Sequence, residues 1–81
     1  MSSIISGQRE TGVVAMFDTR GGYGFIRPSA AGRADVYVHR TNLRETGLDA
    51  LEPGQSVKFV RHRSGQRWYA ARVRLMVETA V

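Results

Sequence analysis

Apolar residues in this chain recur at every second position rather than every third or fourth, a pattern that predicts strands and little helix. Positions 11–18 are rich in Val and Phe, and positions 23–28 alternate aromatic with small or aliphatic residues. Positions 35–39 set Val36 and Val38 against Tyr37 and His39. Val57, Phe59 and Arg61 share one parity of a fourth run, and positions 68–76 form a fifth. Between the runs lie turn signals: Arg20-Gly21-Gly22, positions 29–32, Pro53-Gly54 and Ser64-Gly65. Pro28 suits the end of a strand, since it cannot donate to a central ladder. The longest connection, 40–54, separates the third and fourth runs and is expected to hold a helical turn over 41–45, capped by Thr41. Five short antiparallel strands in 81 residues cannot make two well-covered sheets. Closure into a small barrel removes the exposed edges and encloses a core. The predicted class is all-β, a small five-stranded antiparallel barrel, and an SH3-like barrel satisfies the same arithmetic.

Residues two apart on a strand share a face. With Gly24, Ile26, Val36 and Val38 inward, Tyr23, Phe25, Arg27, Tyr37 and His39 point outward from two neighbouring strands. The reverse parity would expose Ile26, Val36 and Val38 together. An exposed aromatic cluster on so small a domain marks a binding surface. Rings of this kind stack on bases of any identity, at about 1–3 kcal/mol per base.

Charge sharpens that picture. Through Glu52 six arginines face six acids; beyond it Lys58, Arg61, Arg63, Arg67, Arg72 and Arg74 are opposed by Glu78 alone. The net charge of +5 therefore arises in the last third of the chain, and it points to a polyanionic partner such as nucleic acid. The Gly-rich Arg20-Gly21-Gly22-Tyr23-Gly24 segment is not a phosphate loop, because a strand rather than a helix follows it. Cysteine is absent, which excludes disulfides, thiolate zinc sites and a cysteine nucleophile. His39 and His62 are the only histidines, too few for an evident metal site. No Gly-x-Ser-x-Gly elbow presents a serine. No enzyme activity, metal or cofactor is expected. The apolar runs are far shorter than a membrane span, and MSSIISGQRE lacks a signal-peptide pattern, so a cytoplasmic protein without membrane association is expected. The expected boundaries are a flexible tail over 1–10, one domain over 11–76 and a second tail over 77–81. A monomer is the expected state, with a dimer as the alternative.

Gly22-Tyr23-Gly24-Phe25-Ile26 followed by Val36-Tyr37-Val38-His39 resembles the paired ribonucleoprotein motifs of the bacterial cold-shock domain family. Gly12-x-Val14 with Phe17 is similar to that family's first strand. Leu51-Glu52-Pro53-Gly54-Gln55-x-Val57-x-Phe59 resembles the entry to its fourth strand, and Ala70-Ala71-x-Val73 its last. The resemblance implies a five-stranded oligonucleotide-binding (OB-fold) barrel that binds single-stranded RNA or DNA with low sequence selectivity. It further implies a role as an RNA chaperone or a cold-shock-type regulator of transcription or translation. Phe17, Tyr23, Phe25, Tyr37 and His39 match the family's base-stacking positions, and Asp35 matches one that hydrogen-bonds a base edge. Arg20, Arg40, Lys58 and Tyr69 complete the expected nucleic-acid-binding set.

The chain also departs from the family's pattern. Where Lys-Trp-Phe-Asn is usual it reads Ala15-Met16-Phe17-Asp18, and Arg40 and Leu48 stand where aromatic rings are usual. Arg40 can replace a ring in part, through its planar guanidinium. Trp68 and Tyr69 are additions. Tyr69 lies nearer a base-contacting register, while Trp68 either joins the face or covers the barrel's end. Met16 is expected to pack against this added ring. A contrasting reading is a cold-shock-type barrel that has exchanged nucleic-acid binding for docking of a protein or of a second copy of itself.

Overall fold

In the computed structural model, which describes residues 9–76, strands β1 (Arg9–Asp18), β2 (Tyr23–Pro28), β3 (Val36–His39), β4 (Ser56–Ser64) and β5 (Arg67–Leu75) follow one another. A single short helix, α1 (Arg40–Arg44), sits after β3. The strands close into a barrel in the order β1-β2-β3-β5-β4. Four of the pairings are antiparallel. The fifth, β3 with β5, is parallel through Tyr37 and Tyr69, so the barrel is not uniformly antiparallel as expected. The connection over 40–54 allows this, because it carries the chain across the barrel instead of through a hairpin. β1 begins two residues earlier than expected, with Arg9 opposite Val60 and Glu10 opposite Phe59. Arg9 and Glu10, expected in the tail over 1–10, thus belong to β1, and the rest of that tail and the one over 77–81 lie outside the described residues.

The parity argument holds through the middle of the barrel. Ile26, Val36, Val38, Val57 and Val73 are fully buried, and Val14 and Phe59 nearly so. Leu43 on α1 and Leu51 close over this core. Gly12 and Gly24 are buried where strands approach closely. A side chain at Gly12 would meet the Arg27 carbonyl at 2.5 Å, and one at Gly24 would collide with the Met16 carbonyl. Leu48, where the family's pattern suggested a ring, is half-buried and packs against the core.

Two features break the two-residue period. Val14 faces Ile26 but Met16 faces Phe25, so Ala15 is an extra residue and β1 carries a bulge. Beyond it Met16 stands exposed on the outer side, while Phe17 faces Gly24 and packs against the core. The helical turn forms one residue earlier than expected and is capped by His39, whose Nδ1 accepts from the Thr41 amide at 3.2 Å. Thr41 instead lies inside the turn, its hydroxyl 3.1 Å from the same nitrogen.

Candidate nucleic-acid interface

The side chains of Tyr23 and Phe25 on β2 and of Tyr37 and His39 on β3 emerge half-buried on the outer face, as the alternation predicts. Antiparallel pairing sets Tyr23 opposite His39 and Phe25 opposite Tyr37. The rings support one another. Tyr23 and Tyr37 stack with centroids 6.3 Å apart, and Phe25 meets Tyr37 edge-on at 5.9 Å. Tyr23 meets Phe25 edge-on at 6.4 Å, and His39 lies tilted beside Tyr37, also at 6.4 Å. These separations are in the attractive range for aromatic pairs, so the ring geometry is set before any ligand arrives.

The backbone around the rings holds them in place. Asp18 Oδ1 accepts from the amides of Arg20 and Gly21 at 3.0 and 3.1 Å, which closes the β1–β2 turn. A Cβ at Gly21 would come within 2.7 Å of the Tyr23 ring, so glycine there lets that ring lie over the turn. The Arg40 amide donates to the Gly22 carbonyl, and its guanidinium donates to the Thr19 carbonyl at 2.6 Å. Arg40 is therefore tied to the turn, where it braces the loop under Tyr23. His39 Nδ1 accepts from Thr41, which leaves Nε2 as the protonated nitrogen of the neutral ring.

The other expected contacts divide. Arg20 is exposed in the turn beside Tyr23. Asp35 is exposed at the mouth of β3, with Arg27 Nε 3.8 Å away, a loose surface pair. Tyr69 joins the face through its pairing with Tyr37 and stacks on His62 at 5.7 Å. Its neighbour Arg67, which no sequence pattern singles out, lays its guanidinium over the Tyr37 ring at 5.2 Å. The parallel β3–β5 contact that brings Arg67 there has no local signature. Phe17 sits on the inward side of β1, for the reason given by the bulge. Lys58 is not brought to this face: it pairs with Thr11 and Arg74 on the far side of the barrel. Trp68 covers the end of the β4–β5 hairpin, between Arg61 at 5.8 Å and Arg63 at 5.4 Å. Met16, expected against Trp68, stands instead opposite Phe25 on β1, a strand that does not pair with β5.

A closed five-stranded barrel with rings and arginines on the outer face of two neighbouring strands is the form of an oligonucleotide-binding barrel. Comparison with known proteins agrees: residues 10–76 match the 'Cold-shock' DNA-binding domain. Cold shock-like protein CspA of Bordetella pertussis is 45% identical over 51 residues, 63% of this chain and 75% of its own. Cold shock protein CapA of Pseudomonas fragi is 40% identical over 53 residues, 65% of this chain and 81% of its own. Cold shock domain-containing protein 4 of Arabidopsis thaliana shares 43% over 53 residues, 65% of this chain and 26% of that longer protein. The chain belongs to the cold-shock domain family.

Proposed function

We propose that this domain binds single-stranded RNA or DNA with low sequence selectivity, as an RNA chaperone or a cold-shock-type regulator of transcription or translation. The observation that carries this reading is the ring cluster of Tyr23, Phe25 and Tyr37, mutually supported and half-exposed on the outer face. Successive bases stack on these rings while Arg20 and Arg67 neutralise the backbone beside them. Stacking reads the π-face common to every base, hence the low selectivity. In a duplex the bases are stacked on one another and closed to the rings, so single strands are preferred. The reading assigns the domain no catalytic step, a monomeric state and a cytoplasmic setting. No helix among the described residues is long and apolar enough to cross a membrane.

The test is titration of short pyrimidine strands, single and duplex, against wild type, Phe25→Ala and Tyr37→Ala at two salt concentrations. Each substitution is expected to weaken single-strand binding by about 1–3 kcal/mol and to leave the fold intact. Affinity should fall with salt, with a log–log slope of about −0.7 for each phosphate neutralised. Equal binding by both variants and wild type overturns the placement of the bases. Absence of any oligonucleotide affinity favours a protein-docking role instead.

A further inference from the structure

On the side of the barrel away from the rings, three consecutive strands direct cations outward. Arg9 on β1, Lys58 on β4 and Arg74 on β5 are all exposed, and Lys58 lies directly opposite Arg74. Position along the strands separates them from the rings: Lys58 and Arg74 face each other toward the open end of the β4–β5 ladder, whereas His62 and Tyr69 of the ring face pair toward its hairpin, and Tyr23, Phe25, Tyr37 and His39 stand on β2 and β3. Two cavities of about 360 and 480 Å³ share Arg9 and Arg74 in their walls. Arg72 and Thr46 complete the first with a single carboxylate, Glu45, and Lys58 lines the second. The ion pairs among the described residues, Arg61–Glu10 and Arg27–Asp35, use none of these four cations.

Arg72 reaches this surface by an unusual route. Lys58 faces Arg74 and Val60 faces Ala71, so a single β4 residue stands against Arg72 and Val73. Arg72 is the extra residue of a bulge, at φ 51°, and among the described residues it is the one non-glycine with positive φ. The bulge returns Val73 to the core and leaves Arg72 outside. Glycine or asparagine fits that backbone at less cost. A strained position held by a long cation, beside three further cations with no acidic partner among the described residues, points to a functional use of the charge.

We propose that Arg9, Lys58, Arg72 and Arg74 form a second phosphate-binding surface that holds the backbone of a second nucleic-acid strand while the rings hold the first. The inference rests on the single-strand reading above and extends it, since one domain would then bring two strands together. Arginine suits such a surface because its planar fork binds phosphate in bidentate fashion and stays charged at any working pH. This surface carries no ring cluster, so it recognises backbone charge and not bases.

The experiment mixes donor- and acceptor-labelled thymidine heptamers, which cannot pair with each other, and follows energy transfer as protein is added. First-strand binding is followed in parallel by anisotropy. Wild type is expected to bind two strands and produce transfer. Arg72→Asn combined with Arg74→Gln should keep first-strand affinity within about twofold and weaken the second by tenfold or more. It should also remove about 1.4 from the second step's log–log salt slope, at about 0.7 for each lost phosphate contact. Asparagine at position 72 preserves the bulge, and a matched unfolding curve separates lost charge from lost fold. Saturation of wild type at one strand overturns the second surface and leaves the ring reading standing. Transfer undiminished in the double variant also overturns it, by showing that two domains meet through another face. An equal loss at both steps shows a single continuous path and overturns the separation. Failure of wild type to bind even the first strand removes the ring reading, and this inference with it.

Discussion

Strands β2 and β3 carry apolar side chains on both faces, and the two faces do different work. Inward, Ile26, Val36 and Val38 are wholly buried against Phe59 and Val57, with no room left beside Gly24. Outward, Tyr23, Phe25 and Tyr37 stop at half-burial, covered by one another and, at Tyr37, by His39 and the Arg67 guanidinium. The backbone alternation is common to both, so the difference lies in what each face meets. A face closed by other strands gains the full transfer free energy of its side chains. A face covered only by its own half-buried side chains keeps part of that gain available for an incoming base. Adjacent residues of one strand can thus belong to stability and to binding.

Ile26 and Phe25 offer the sharpest way to break that contrast. Ile26→Ala removes a side chain with no exposed surface and leaves a cavity, at an expected cost of about 2–5 kcal/mol in denaturant unfolding. Total stabilities are about 5–15 kcal/mol, and a domain of this size has a thin core, so the loss is large. Phe25→Ala, one residue away, should cost under about 1 kcal/mol in the same assay. Its effect should appear in binding. Equal destabilisation by the two substitutions would show that the rings serve as a second core.

Much of this was legible in the sequence, for a physical reason. Where strands stay regular, side-chain direction follows a period of two, so Val36, Val38, Tyr37 and His39 reveal both faces of β3 at once. Gly24 adds steric proof, since no other residue fits beneath the Met16 carbonyl. Legibility ends at each bulge. Ala15 reverses β1, so the parity that reads Val14 correctly misplaces both Met16 and Phe17. Arg72 does the same in β5, and no local pattern announces either. Non-local placement was hidden as well: the charge of Lys58 led to its expectation among the nucleic-acid contacts, but only the pairing with Thr11 and Arg74 shows that it stands apart from Tyr23, Phe25 and Tyr37. The His39 cap competed with Thr41 two residues on and prevailed because β3 ends there in extended geometry, φ −114° and ψ 152°.

The reversal of β1 offers a smaller, constructive test. Met16 is exposed directly opposite Phe25, where an added ring would extend the outer face. Met16→Trp is expected to tighten single-strand binding by about 1 kcal/mol, roughly fivefold, at the lower end of the range for one stacked base. Unfolding stability should be nearly unchanged, because the side chain already faces water. The added tryptophan also supplies a fluorescence signal at the site, which Trp68, at the hairpin end, does not. If Met16→Trp leaves affinity unaltered, the bases do not pass along β1, and the platform ends at β2.

The smallest expected effect concerns a position where inward parity meets charge. Glu10 lies opposite Phe59, and Arg61 continues the inward series of Val57 and Phe59 beyond the core. There the two form a bidentate pair, at 2.7 and 2.9 Å, with side chains only 20% and 12% exposed. The pair extends the inward side of β1 and β4 past Phe59. The hydrogen bond from Arg61 holds the Glu10 carboxyl below its ordinary value of 4.5, against the opposing effect of burial. A carboxyl with a lowered folded pKa stabilises the fold fully above its unfolded pKa and loses that contribution as pH falls through the folded one. Stability should therefore be level from neutrality down to about pH 5 and should decline below it. Glu10→Gln is expected to reduce stability near neutrality by on the order of 1 kcal/mol and to flatten the acid slope. Single-strand affinity should be the same in both proteins at pH 7, since the ring that Arg61 meets is Trp68 at the hairpin end and not one of the cluster of Tyr23, Phe25 and Tyr37. An acid slope unchanged by Glu10→Gln would assign the pH dependence to other carboxylates and reduce this pair to a surface contact.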